Sequence, residues 1–163
     1  MATDGRRFTA RRVICNGDPP TVYRQMMPQE RRRKKALPDS LTQYSMGLYV
    51  LFFGTRRSYE DVAHHTIWMG PRYRELLADI FDRKILADDF SLYLHRPTAT
   101  DKSFAPDSCD SFYVLCPAPN LLGDVDWDVE GPVLRDRIVA ALGRTIMPDL
   151  EKTITEDLSL IHI

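Results

Sequence analysis

Cysteine is scarce in this chain of 163 residues, and its three members, Cys15, Cys109 and Cys116, form no CxxC pair. That spacing argues against a zinc ribbon, and scattered free thiols fit a reducing cytoplasm. Long apolar runs are missing too. The best, "GLYVLFFG" at 47–54, falls far short of the roughly 18 to 20 residues of a membrane span. The opening "MATDGRRFTARR" has charges but no apolar centre, so it is no secretory signal. Charge of one sign is also lacking: a formal net charge of −1 gives no global pull toward nucleic acid or anionic lipid. No GxSxG, P-loop or GxGxxG is present, and no serine or cysteine has an evident base beside it. Read one by one, the residues support no catalytic constellation.

What is present is an ordinary globular composition, 44% apolar and 28% charged, with enough residues for one domain. Near the start, Phe8–Ala10 and Val13–Cys15 read as two short strands. Asp18 is placed to cap a helix with Pro19 at its first position, and "PTVYRQMM" would be that helix, ended by Pro28. "QERRRKKALPDS" reads as a charged helix closed by Pro38. Strands are expected around 47–54, 64–69, 90–95 and 111–117. The first is apolar on both faces and so belongs inside a sheet. Between them, "SYEDVAHH" predicts a helical turn, and "PRYRELLADIFDR" a helix whose Tyr73, Leu76, Leu77, Ile80 and Phe81 share a face. "LLGDVDWDVEG" reads as an acidic loop before a long helix that Pro132 begins and Pro148 closes. The fold class is α+β: a mixed, largely antiparallel sheet with helices on one face.

Three features invite a chemical reading. His64 and His65 are adjacent, and neighbours on a strand point to opposite faces, so the pair is not expected to share a metal. Structural, hydrogen-bonding histidines are the ordinary reading. The basic run Arg31–Lys35 reads first as a solvated helix face and second as a contact for anionic lipid head groups. Nucleic acid comes last, because no aromatic platform accompanies the run. Asp124, Asp126, Asp128 and Glu130 alternate as in a calcium loop but lack the glycine and the terminal glutamate of an EF-hand. No metal and no catalytic residue is expected.

A longer resemblance covers roughly residues 4 to 156. "VAHHTIWMGPRYRELLADIF", "LADDFSLYLHRPTATDKSFAPDSCDSFYVLCPAPNL" and "DWDVEGPVLRDRIVAAL" resemble the bacterial-type phytoene desaturases, FAD-dependent carotenoid desaturases of the flavin amine-oxidase-like fold. "GRRFTARRVICNGDPPTVYRQMM" resembles that family's return into its FAD domain, with Gly17 where alanine is usual. The family's N-terminal glycine-rich βαβ and its C-terminal glycine-rich flavin segment have no counterpart here. "DLSLIHI" departs from the family pattern. The expectation is an interior piece of a longer protein. Residues 4–27 would be a strand pair and turn returning to the FAD-binding domain, 28–156 a substrate-binding part, and 157–163 a non-native tail.

The resemblance implies an oxidoreductase that introduces double bonds into a C40 carotenoid precursor, inactive as the fragment alone. Removing two hydrogens beside a conjugated system falls to the flavin, while the protein positions the polyene and excludes water. The substrate has no polar handle, so the site should be a long apolar tunnel. The resemblance offers Asn16, Gly17 and Asp18 for FAD contact, with helix capping an equal reading for Asp18. Tyr49, Leu51, Phe53, Tyr93, His95 and Tyr113 are the expected channel residues; period two puts Tyr49, Leu51 and Phe53 on one face but cannot say which. A peripheral contact at the cytoplasmic membrane follows from a substrate that partitions into the bilayer, and no nucleic-acid partner is expected. The alternatives are a carotenoid ketolase or isomerase, and a non-catalytic lipid- or nucleic-acid-binding module built on residues 31–35.

Overall fold

A computed structural model of the chain describes residues 4–28 and 43–162. It divides into two compact units, residues 1–43 and 44–163. The basic run Arg31–Lys35 and the charged helix expected around it lie outside the described residues.

Among the described residues of the first unit is one short helix, α1 (Pro19–Thr21), continued by a wider π-type turn over Val22–Met26. The Asp18 carboxylate caps it, accepting from the Thr21 amide at 2.9 Å and the Thr21 hydroxyl at 2.8 Å. The cap and the proline follow the sequence expectation. The expected strand pair does not: residues 6–16 contain no strand. Val13 and Ile14 are 83% and 98% exposed. A two-stranded ribbon with no third strand or helix to bury its apolar side chains is marginal in water.

The second unit is a five-stranded antiparallel sheet: β1 (Gly47–Thr55), β2 (His65–Trp68), β3 (Leu92–His95), β4 (Asp110–Ala118) and β5 (Ile154–His162). Their order is β2-β3-β4-β1-β5, and every neighbouring pair is antiparallel, so the parallel pairing of a mixed sheet is absent among the described residues. β1 is interior because β5 pairs with its second edge. The segment from 157 onward, expected to be a non-native tail, continues that edge strand in regular register to His162, after a register shift opposite Gly54/Thr55.

Helix α2 (Tyr73–Ala78) follows β2 and widens into a π-type turn over Asp79–Arg83. Helix α3 (Trp127–Thr145) follows β4, and the short α4 (Leu150–Thr153) leads into β5. α3 starts five residues before the proline expected to open it. Asp126 caps it by accepting from the Asp128 amide at 3.1 Å, and Asp128 and Glu130 suit the positive end of the helix dipole. The expected acidic loop is therefore partly the first turn of a helix. Pro132 sits at its sixth position, exposed, where it has no amide to donate to the helix ladder. The helical turn expected at 58–65 is a single turn, closed by Val62 donating to the Tyr59 carbonyl at 2.9 Å.

Leu134, Ile138, Val139 and Leu142 of α3 are 0–1% exposed and pack on Tyr49, Leu51, Phe53, Leu92, Leu94, Phe112, Val114 and Cys116. This is the core, one helix layer on one sheet face. Burial pushes the Cys116 thiol up to about 12, so it stays neutral there. At the end of β4 the core holds an ion pair. Arg96 Nε donates to Asp110 at 2.9 Å, with Arg96 3% and Asp110 1% exposed. The carboxylate also accepts from the Thr98 hydroxyl at 2.6 Å and the Tyr59 amide at 2.8 Å, and Arg96 Nη1 donates to the Val62 carbonyl at 2.9 Å. Two loops are thereby tied to one strand end.

Candidate functional site

Alternation along each strand sends half of its side chains away from α3. On that second face the strand registers align two rows across the whole sheet. One runs His65, His95, Tyr113, Phe52, Leu158. The other runs Ile67, Tyr93, Leu115, Val50, Leu160. Among the described residues no helix covers them: Phe52 is 39%, Ile67 64%, Leu158 59% and Leu160 41% exposed. The aromatic rings touch in sequence. Tyr113 lies 5.9 Å from Phe52, 6.0 Å from Tyr93 and 4.6 Å from His95, centroid to centroid. An uncovered apolar and aromatic sheet face of this extent is the mark of a binding surface.

The six expected channel residues therefore divide. Tyr93, His95 and Tyr113 lie together on the open face. Tyr49, Leu51 and Phe53 do not: they are 2%, 0% and 4% exposed beneath α3. Tyr49 stacks on Trp127 and donates to the Gly131 carbonyl at 2.9 Å, so it is a packing residue. The correction is one of parity. Period two puts Tyr49, Leu51 and Phe53 on one face, and the position of α3 makes that face the core. Their neighbours Val50 and Phe52 face the open side, and "apolar on both faces" was the signal that could have found them.

The histidines depart further from expectation. β2 begins at His65, so His64 precedes the strand and the opposite-face rule does not hold for the pair. The rings of His64, His65 and His95 gather, with centroids 4.3, 4.7 and 5.2 Å apart. His64 Nε2 lies 2.8 Å from His95 Nε2, and its Nδ1 meets the Thr100 hydroxyl. His65 Nδ1 lies 2.7 Å from the Tyr93 hydroxyl. Desolvation, then the neighbouring His64 and His65, hold His95 below its ordinary value, so it is neutral near pH 7. Its Nδ1 is buried without a hydrogen-bond partner.

Asn16, Gly17 and Asp18 do not fit a flavin. The Asp18 carboxylate is occupied as a cap, the helix behind it has three residues, and Gly17 is not in the left-handed region where a phosphate-cradling turn would use it. A Cβ at Gly17 would meet Val22 Cγ2 at 3.2 Å, which explains the small residue by local packing. No helix among the described residues is long and apolar enough to cross a membrane.

The sheet is closed by helix on one face and left apolar on the other, and comparison with known proteins says which proteins the chain resembles. No family model matches the chain. A lycopene-forming phytoene desaturase of Pantoea ananas is 48% identical over 149 residues, covering 90% of this chain and 30% of that protein. One from Paracoccus sp. is 46% identical over 154 residues, 93% of this chain and 31% of the relative. A neurosporene-forming phytoene desaturase of Rhodobacter capsulatus is 39% identical over 161 residues, 94% and 30%. The chain is thus a partial region of a bacterial-type phytoene desaturase, spanning about 30% of the length of the curated relatives it matches.

Proposed function

We propose that this chain is the substrate-facing part of an FAD-dependent desaturase of the flavin amine-oxidase-like fold that introduces double bonds into a C40 carotenoid precursor. The observation that carries the proposal is the open sheet face, where Phe52, Ile67, Tyr93, Leu115, Leu158 and Leu160 form an apolar bed beside the histidine cluster. A polyene offers only dispersion and π contacts, and a flat array of aromatic and aliphatic side chains supplies both. This chain's share of the reaction is to bind the hydrocarbon, hold its long axis against the sheet and keep water away from it. The flavin would supply the oxidising chemistry and would be held by parts of the longer protein that this chain does not span. Delivery of such a substrate from the bilayer fits a peripheral attachment at the cytoplasmic membrane.

The test is a chimera in which residues 44–156 replace the matching segment of the Pantoea ananas relative, expressed in a phytoene-accumulating host. Extracted pigments are separated and their hydrogen content read by mass. Products lacking pairs of hydrogens are expected. Phe52→Asp with Tyr113→Asp should abolish them, while the exposed helix substitution Val133→Asp should not. Products with unchanged hydrogen count would point to an isomerase, oxygenated products to a ketolase, and activity that survives open-face charges would remove the sheet face from the site.

A further inference from the structure

The histidine cluster at the end of the first open-face row is unexplained by hydrocarbon binding, since a polyene has nothing for three imidazoles to recognise. One ring nitrogen from each of His64, His65 and His95 lies within 4.8 Å of one from both others. Two of the rings are oriented through Nδ1 by hydroxyls, His64 by Thr100 and His65 by Tyr93. Hydroxyls thus hold both rings from behind, as metal-ligating histidines are commonly held, and His64 Nε2 is turned toward His95. His95 presents Nε2 toward His64 Nε2, and its Nδ1 has no partner at all. The described groups in ring or hydrogen-bond contact with the trio are Thr100, Tyr93 and Tyr113, none of them an ionised acid that would hold the cluster as imidazolium.

We infer that His64, His65 and His95 form a binding site for one late first-row divalent cation, with Zn²⁺ the best match. Neutral imidazole is a preferred ligand of Zn²⁺, and three histidines leave a fourth position open to solvent on the uncovered sheet face. Nitrogens about 2.0–2.1 Å from a tetrahedral ion stand about 3.3 Å apart. The 2.8 Å contact must therefore open slightly and the wider separations close, by side-chain rotation, since His65 is exposed and His64 and His95 are half-buried. An ion there would fasten the edge strand β2 to β3 and to the loop bearing Thr100. The inference stands on the ligand geometry and not on the desaturase reading, so either can fail alone.

The experiment titrates the metal-stripped 163-residue chain with Co²⁺, followed by visible absorption, and with Zn²⁺, followed by calorimetry. We expect one ion per chain, a four-coordinate Co²⁺ spectrum and its displacement by Zn²⁺. His65→Gln and His95→Gln should each weaken binding at least roughly 100-fold, and Tyr93→Phe, which removes only the orienting hydroxyl, roughly 10- to 100-fold. His162→Gln and Cys109→Ser should change nothing. His65 is exposed, so its glutamine variant keeps the fold, which circular dichroism checks. Absence of binding to the folded chain, or binding unchanged in the His65 and His95 variants, would overturn the site.

Discussion

Asp110 shows at the level of one side chain what the linear order hides. Its partners Tyr59, Arg96 and Thr98 lie 51, 14 and 12 residues away, so nothing local marks it as the centre of a network. Burial pushes its carboxyl up, but the Thr98 hydroxyl, the Tyr59 amide and the Arg96 guanidinium outweigh that and hold it below the ordinary 3.8. Stability contributed by the folded pair is complete above that value and is lost as pH falls through the lowered folded pKa. Asp110→Asn should destabilise the chain by about 3–5 kcal/mol, because it strands the buried Arg96 charge. Urea unfolding at pH 7 measures this, and repeating it down the acid range should show a shallower decline in the variant. The histidines teach the complementary lesson. Strand parity was applied to His64 one residue outside the strand, and the turn before β2 swings its ring back to the others.

Among the secondary-structure elements, legibility followed burial. β1 and β4 were readable because the aromatic and aliphatic runs at their centres, LYVLFF and FYVLC, have few other uses. α1's cap was readable because Asp-Pro at a helix start is local chemistry. α3's start was misread because Pro132 looks like a first position, whereas Asp126 is the cap actually used. The face each strand presents could not be read, since alternation gives parity and only a neighbour gives the sign. α3 is that neighbour, and its contribution is measurable. Ile138→Ala, at a site with no exposure, should cost about 2–5 kcal/mol in chemical denaturation, while Val133→Ala on the exposed side should stay within about 0.5 kcal/mol.

For the molecule as a whole, the open face and the two outer strands set its behaviour in solution. β2 and β5 each leave one edge unpaired among the described strands, and both carry exposed aliphatic side chains beside the apolar rows. Such edges recruit further strands. Sedimentation velocity should show the chain self-associating, and Leu158→Lys with Leu160→Lys should shift it toward monomer without lowering its melting temperature, because both positions are exposed. The class of fold and the kinship to desaturases were visible from residue patterns spread along the chain. The open face was not, because it exists only once five strands far apart in sequence have been set side by side.

The strand order carries a consequence for biogenesis. Residues 47–55 leave the ribosome well before the last partner of β1, residues 154–162, which lies about a hundred positions downstream. Until translation delivers that segment, a nine-residue greasy ribbon waits with one flank bare, and closing so long a loop is intrinsically slow. A nascent chain paused before residue 154 should therefore be the species that chaperones hold.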